Sequence, residues 1–211
     1  NIGLNGTVAL RRMSITDGYL DNSGDNEGGG ILNNGSLVLS NCHIYQNTIN
    51  ASTTGMPNPW GGGICNHGGL EMYFCRIYKN VIRVGNGFLG TGVGLKNTDY
   101  AHISHCEFSD NVFDIAATGI GEGGAIDQQI SGSSMSIENS LFDGNYATDG
   151  SAIFVSFGTE AIISNTTFSQ NQVDVEASIM NAGLVEMTAV TICNNDGIGY
   201  MGLTGSESSI Y

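Results

Sequence analysis

The chain has 211 residues, of which 32 are glycine, two are proline and 12% are charged. Its formal net charge of −14 would repel phosphate backbones and anionic membranes, so nucleic acid is not expected as a partner. No apolar run reaches the roughly 18 residues of a spanning helix, and the first residues lack the layout of a signal peptide. The length suits one all-β domain over residues 1–211, with glycine supplying frequent tight turns.

The sequence repeats itself along its length. Each of seven copies holds an alternating apolar pair, a two-residue break, a second alternating pair and a closing residue three positions later. Small-residue turns, such as GGGI at 28 and 61 and GGAI at 123, precede six of the copies. The closing residue is Gly18 in the first copy and asparagine in the other six: Asn47, Asn80, Asn111, Asn145, Asn171 and Asn195.

Alternation with a period of two in such short runs indicates strands with one buried face. Asn-Gly pairs do not recur at the strand ends, as a β-meander would need. A solenoid satisfies the pattern better, because each repeat would form one coil and equivalent residues would stack about 4.8 Å apart. The sequence therefore predicts a right-handed parallel β-helix of about seven coils, each of roughly 24–34 residues and three strands, with the third strand around each GGGI turn.

The two-residue break, Ser40-Asn41 in the second copy, is interpreted as a corner of the coil. Asparagine tolerates the left-handed backbone region, and its amide can donate and accept along a stack, so the six asparagines are predicted to form an internal ladder. Cys42, Cys75 and Cys106 share a column and are expected to be buried free thiols. The five cysteines form no CxxC pair, which indicates neither a zinc site nor a disulfide framework.

Outward positions of neighbouring coils can be compared in the same alignment. Arg76 and Glu107 fall in one column and are expected to pair across the coils. Tyr45 and Tyr78 fall in another, where they either pack on the surface or form a platform for a sugar ring. Trp60, the only tryptophan, follows two prolines in a loop and has the same two interpretations, stacking on a sugar or covering the sheet.

The loop after the first copy is acidic. It places Asp17, Asp21, Asp25 and Glu27 within eleven residues. Hard oxygen ligands at this density suit Ca²⁺, although the spacing does not fit an EF-hand loop, and the alternative is a solvated acidic loop. Calcium is the one cofactor that the sequence suggests.

Two motifs carry a family resemblance. The GGAI turn at 123 and the endings FSDN, FDGN and FSQN at 108, 142 and 168 resemble the motifs of polymorphic outer membrane protein repeats. The resemblance covers nearly the whole chain. It implies a surface or secreted β-helix, often the stalk or passenger of an adhesin, in which the motif residues are structural.

Pectate lyases and related proteins share the predicted architecture, so a polysaccharide lyase or glycoside hydrolase is the alternative. Such lyases combine a cationic residue with calcium-binding acids on a parallel face. We assign Arg83 to a loop and Lys96 to the end of a turn, and find no carboxylate in the column of either, so no catalytic residue is named.

The sequence as a whole predicts a non-catalytic scaffold, extracellular or at the cell surface. It would bind carbohydrate or a cell-surface protein through its variable loops. Its coils are expected to continue into further coils or to meet other copies end to end, because neither end carries an amphipathic cap.

Overall fold

The computed structural model describes residues 1–21, 26–52, 58–203 and 207–210. Within these ranges the chain forms thirty strands, with no helix long and apolar enough to cross a membrane. In chain order the strands are β1 (Thr7–Arg11), β2 (Ser14–Thr16), β3 (Tyr19–Asp21), β4 (Ile31–Asn33), β5 (Ser36–Ser40), β6 (His43–Tyr45), β7 (Thr48–Ala51), β8 (Ile64–Asn66), β9 (Gly69–Tyr73), β10 (Arg76–Tyr78), β11 (Val81–Val84), β12 (Leu89–Thr91), β13 (Leu95–Asn97), β14 (Tyr100–Ser104), β15 (Glu107–Ser109), β16 (Val112–Ile115), β17 (Ile120–Glu122), β18 (Ile126–Gln128), β19 (Ser134–Glu138), β20 (Leu141–Asp143), β21 (Tyr146–Ala147), β22 (Ile153–Val155), β23 (Glu160–Ser164), β24 (Thr167–Ser169), β25 (Gln172–Val173), β26 (Ala177–Asn181), β27 (Leu184–Thr188), β28 (Thr191–Cys193), β29 (Ile198–Gly202) and β30 (Glu207–Ile210).

The strands pair only in parallel and stack in the order of the sequence. The first sheet has eight strands, from β1 through β5 and β9 to β30, and the second has seven, from β2 to β28. The third has six, from β3 to β25, the fourth has seven, from β4 to β29, and a small sheet pairs β12 with β17. This is a right-handed parallel β-helix, as the repeat predicts.

Most coils contain four strands where the sequence predicts three. The additional strand follows the closing asparagine, in a segment that we assigned to a loop, and it builds the third sheet. Its inward residues, among them Ile49, Ile82 and Phe113, form a separate apolar cluster. Because these strands are only two to four residues long, their alternation is too short to be recognised in the sequence.

The core lies inside the coils, where equivalent residues stack on one another. The rings of Phe108, Phe142 and Phe168 are fully buried, with centroids 5.0 and 4.8 Å apart. Burying each of these side chains contributes about 1.5–3 kcal/mol. Larger and smaller apolar residues replace one another along the other columns, so the interior stays filled from coil to coil.

The small-residue turns are required by close packing between coils. Gly61 has a φ of +67°, and a Cβ atom there would lie 2.3 Å from the carbonyl oxygen of Ile64. Gly63 has no such backbone requirement, but a Cβ atom would lie 2.7 Å from the carbonyl oxygen of Gly94 in the next coil. This turn therefore needs glycine at both positions, for two different reasons.

Five of the six closing asparagines are fully buried and Asn195 is half-buried, and together they form a continuous ladder of hydrogen bonds. The side-chain Nδ2 of each donates to Oδ1 of the next, at 2.9–3.0 Å. The same Oδ1 accepts the backbone N–H of the preceding asparagine at 2.9–3.3 Å, and Gly18 donates to Asn47 in the same way. Each Nδ2 also donates to a backbone carbonyl of the coil before it. The asparagine side chains thus provide hydrogen-bond partners for backbone N–H and C=O groups at the point where the chain leaves the sheet.

The left-handed conformation lies one residue before the place where we expected it. The residues that precede the asparagines have φ values between 53° and 65°, and they are Gln46, Lys79, Asp110, Gly144, Gln170 and Asn194. A second left-handed set, with φ values between 47° and 55°, lies at the other corner and comprises Arg12, Asn41, Phe74, His105, Asn139, Asn165 and Ala189. A left-handed residue turns the chain, and the next residue points its side chain inward.

At this second corner, the cysteine side chains accept backbone hydrogen bonds from the preceding coil, as the asparagines do at the first corner. The backbone N–H of Cys42 donates to Sγ of Cys75 at 3.5 Å, and that of Cys75 donates to Sγ of Cys106 at 3.4 Å. Ser140 and Thr166 continue the column with their hydroxyl oxygens. All three cysteines are free thiols.

A second amide ladder, which we did not anticipate, lies in the fourth sheet. Asn33 donates to Asn66 at 2.6 Å, Asn66 to Asn97 at 2.7 Å, and Asn97 to Gln128 at 2.6 Å. The signal was present in the sequence, because each amide residue follows the isoleucine or leucine of the small-residue turn by two positions.

Substituting Asn111 by alanine is expected to lower the free energy of unfolding by about 2–4 kcal/mol, measured by urea denaturation. The reason is that Asn80 would lose the acceptor for both its backbone and its side-chain N–H. The control is Asn34→Ala, whose side chain makes a surface hydrogen bond of 3.5 Å to Asn1 and should cost less than about 0.5 kcal/mol. Equal losses in the two variants would contradict the ladder's role.

Candidate functional site

A groove of about 770 Å³ runs along the corner between the first and second sheets. The left-handed residues of this corner form one wall, and the first residues of the second-sheet strands form the other. The groove extends over four coils, and its lining includes Phe74, Arg76, His105, Glu107, Asn139 and Asn165. The positive φ at the corner is what turns the first wall's side chains outward.

The first wall is a row of two rings and two amides. Phe74 is 57% exposed, and its ring lies 4.8 Å from that of His105 at an angle of 32°. Asn139 and Asn165 follow in the same column and are exposed. Successive coils therefore present ring, ring, amide and amide at intervals of about 4.8 Å.

The opposite wall carries an ion pair. Arg76 donates from Nε to Oε2 of Glu107 at 2.9 Å and from Nη2 to Oε1 at 2.8 Å, a bidentate arrangement. These hydrogen bonds hold the pKa of Glu107 below its ordinary value. The Arg76 guanidinium also lies 5.1 Å from the ring of Tyr78.

The two tyrosines that we predicted as a surface pair stack next to this groove. The rings of Tyr45 and Tyr78 are stacked, with centroids 4.8 Å apart and ring planes nearly parallel, at 6°. They lie two residues along the same strands as His43 and Arg76, and so on the same face.

The structure describes three of the four acidic residues of the first loop, and their surroundings differ. Asp17 and Asp21 are exposed, and Asp21 accepts a 3.5 Å hydrogen bond from Asn50. Glu27 faces His67 of the next coil at 3.1 Å. Asp25 lies outside the described residues, so calcium binding by this loop stays a prediction.

A second polar cluster lies on the outer face of the fourth sheet. Lys96 and Asp127 are in register on β13 and β18, both are fully buried, and the Lys96 Nζ donates to the Asp127 carboxylate. Nζ also donates to Oε1 of Gln129 at 2.5 Å. The ring of Trp60 lies 5.2 Å from Nζ, so the tryptophan contributes to the cover over this pair.

Two of our assignments of basic residues are therefore wrong. Lys96 does have a carboxylate in its column, namely Asp127. Arg83 lies in strand β11, not in a loop, and pairs with Asp114 of the next coil at 3.2 Å. The Arg83 pair lies in the third sheet, which the sequence did not reveal. Lys96 and Asp127, in contrast, each follow directly after a small-residue turn, GVGL and GGAI, and could have been aligned.

The segment that covers Lys96 forms a short parallel ladder of its own. Trp60 bridges Glu27 on one side and Thr91 on the other, and Glu122 bridges Asp149. Burial raises the pKa of Glu122 to about 7, and Asp127 and Asp149 add to the shift while Lys96 opposes it. Burial likewise raises the pKa of Asp127, which Lys96 opposes.

Three potential metal ligands meet at the exposed edge of this cluster. Atoms of Glu27, Cys65 and His67 lie within 4.8 Å of one another, and within the described ranges no other group of three or more such side chains was found. Nε2 of His67 is 3.1 Å from Oε2 of Glu27 and 3.3 Å from Sγ of Cys65. Burial raises the pKa of the Cys65 thiol well above its ordinary value, and Glu27 adds to this. The group was not recognised in the sequence because it contains a single cysteine, and its glutamate lies 38 residues before that cysteine.

Comparison with family models, with curated proteins and with solved structures found no match to this chain. Arguments about function therefore depend on the geometry described above. The groove is open and extended, while the Lys96 cluster is closed. The groove is therefore accessible to a ligand from solvent, whereas the Lys96 and Asp127 side chains are buried.

Replacing Lys96 by methionine is expected to lower the free energy of unfolding by about 3–5 kcal/mol, because Asp127 would remain buried without its cation. The double variant Lys96→Met with Asp127→Leu should recover most of that loss. Lys79→Met, at an exposed position, is the control and should change stability by less than about 0.5 kcal/mol. Thermal and urea unfolding measure all three, and a double variant as unstable as the single one would contradict the interpretation.

The stability of the chain is expected to fall as pH rises from 4.5 to about 7, the ordinary and folded pKa values of Glu122. In this window the folded protein keeps a proton that the unfolded chain has released. Glu122→Gln should flatten this part of the profile, measured by urea unfolding at pH 4.5 and 7.5. Glu186→Gln, on an exposed face, is the control, and an equal change in both variants would contradict the assignment.

Proposed function

We propose that this chain is an extracellular or cell-surface β-helix that binds an extended, uncharged polysaccharide along the corner groove. The observation that carries the proposal is the row of Phe74, His105, Asn139 and Asn165, one residue per coil, above a groove of about 770 Å³. A repeating row of contacts suits a ligand that is itself a repeating chain. The GGAI and FxxN resemblance to polymorphic outer membrane protein repeats supports the location.

The chemistry of both walls suits sugar. An exposed aromatic ring offers an apolar face to a sugar ring, while amides and hydroxyls meet the sugar hydroxyls as donors and acceptors. Lectin-like pockets combine these same groups, apolar surface with a few polar anchors. The bidentate pair of Arg76 and Glu107 adds fixed donors at the opposite wall.

The net charge of −14 favours a neutral ligand. A polyuronate or sulfated glycan would be repelled at long range unless cations screened it. The same repulsion disfavours a pectate-lyase-like activity, for which the substrate is acidic.

Binding without cleavage is the proposed outcome in the groove. General acid catalysis needs a carboxyl that holds a proton near neutral pH. The Arg76 hydrogen bonds shift the pKa of Glu107 in the opposite direction. The groove therefore supports recognition better than hydrolysis.

Phe74→Ala is expected to weaken polysaccharide binding by at least about ten-fold, because it removes the exposed ring at one end of the row. A glycan array identifies the ligand, and isothermal titration calorimetry compares the variants. Phe157→Ala is the matched control, since Phe157 is 77% exposed and lies outside the groove.

Three outcomes would overturn the proposal: no glycan bound, equal loss in Phe74→Ala and Phe157→Ala, or binding confined to acidic glycans. Analysis of the bound glycan for new reducing or unsaturated ends tests the enzyme alternative in the same experiment. Release of such ends would replace binding by catalysis.

A further inference from the structure

Glu27, Cys65 and His67 come from two neighbouring coils and aim three ligand atoms at one point. Cys65 and His67 are two residues apart at the fourth-sheet strand β8 and so share its outer face, while Glu27 stands beside them on the covering ladder. Cys65 is fully buried, whereas the side chains of His67 and Glu27 are 22% and 31% exposed. The group is thus rigid at one side and reachable from solvent at the other.

The hydrogen bonds around His67 allow Nδ1 to carry the ring proton. The hydroxyl of Thr98 donates its hydrogen to the carbonyl oxygen of Asn66 at 3.0 Å. With its hydrogen placed there, the hydroxyl accepts from Nδ1 of His67, which lies 2.8 Å away, and we assign the proton of the neutral ring to Nδ1 on this geometry.

This tautomer leaves a lone pair on Nε2. That lone pair faces Oε2 of Glu27 at 3.1 Å, where a carboxylate offers only lone pairs as well. Two acceptors at this distance repel unless a positive charge lies between them. The thiol of Cys65, at 3.3 Å from the same nitrogen, has one hydrogen and cannot serve both partners.

In this tautomer a metal ion between the two groups would remove the repulsion, because imidazole, thiolate and carboxylate would all donate lone pairs to it. With the usual zinc bond lengths, a tetrahedral site needs about 3.4 Å between nitrogen and oxygen and about 3.6 Å between sulfur and nitrogen. The observed 3.1 and 3.3 Å need an outward adjustment of only a few tenths of an ångström. The contact of His67 with Thr98 is the outer-shell hydrogen bond that orients a metal-binding histidine.

We propose that Glu27, Cys65 and His67 bind one divalent transition metal ion of the zinc class, with a fourth position open to water. Sulfur and nitrogen ligands select such ions over Ca²⁺, which takes oxygen ligands. Cys65 binds as the thiolate and releases its proton to solvent on binding. The strongly negative chain favours the approach of a cation.

The chain carries its own reporter for this site. Trp60 is the only tryptophan, and its ring centroid lies 6.1 Å from that of His67. Co²⁺ bound at the site should quench Trp60 fluorescence with one-to-one stoichiometry and produce a thiolate-to-cobalt charge-transfer absorption. Zn²⁺ should displace Co²⁺ and restore the fluorescence, whereas Ca²⁺ should do neither.

Variants distinguish the residues that bind the metal ion from residues of the same type that do not. His67→Gln and Cys65→Ser should each weaken Zn²⁺ binding by at least about 100-fold, and Cys65→Ser should also abolish the charge-transfer band. Thr98→Val removes the orienting partner and should weaken binding by about 10–100-fold. His105→Gln and Cys193→Ser, which change the same residue types elsewhere, should bind as the unmodified chain does. Far-ultraviolet circular dichroism of each variant shows that it is folded.

The proposal is overturned if the unmodified chain binds no Zn²⁺ at millimolar concentration, which would mean that Nε2 of His67 donates a hydrogen bond to Glu27 instead. It is also overturned if folded His67→Gln or Cys65→Ser retains the original Kd, since the ion would then lie elsewhere. Glycan binding in the groove is a separate measurement, so either proposal can fail without the other.

Discussion

The structure depends on one kind of hydrogen bond, made where the backbone leaves a sheet and turns a corner. There the N–H of an inward residue is buried and has no strand carbonyl to meet, and leaving it unpaired would cost about 1–3 kcal/mol. At one corner the asparagine of the next coil accepts it, and at the other corner a cysteine, serine or threonine does so. Because each acceptor belongs to the next coil, satisfying the corners also sets how the coils stack.

Once that stacking is set, the positions of the outward side chains follow. Arg76 pairs with Glu107 at the surface, and Lys96 pairs with Asp127 under cover, through the same one-coil register. The two pairs differ in energy, since the exposed one contributes about 0.2–1 kcal/mol and the buried one must first offset the desolvation of both charges. The groove and the Glu27 group likewise arise where neighbouring coils are brought together.

How much of the structure could be predicted from the sequence depends on how long and how regularly spaced each repeated pattern of residues is. The asparagines recur in phase at a corner with little length variation, so Asn47 and its equivalents could be named before the structure. The third sheet could not, because strands such as β21 have only two residues. The burial of Lys96 could not either, since its cover comes from Trp60 and Glu122, which lie between the repeats where coil length varies. Cys65 and His67 were visible as a pair two positions apart, but the partner Glu27 is 38 residues before Cys65 in the sequence.

The asparagine ladder also gives the cylinder a direction. Every Nδ2 points toward the following coil's Oδ1, from Asn47 to Asn195, so the amide dipoles add along the axis. Aligned hydrogen bonds polarise one another, by about 10–30% per bond. A coil inserted upside down would set amide hydrogen against amide hydrogen in the middle of the column. The amide dipoles inside the coils therefore all point the same way. This polarity disfavours a reversed segment more strongly than the loss of any single apolar contact would.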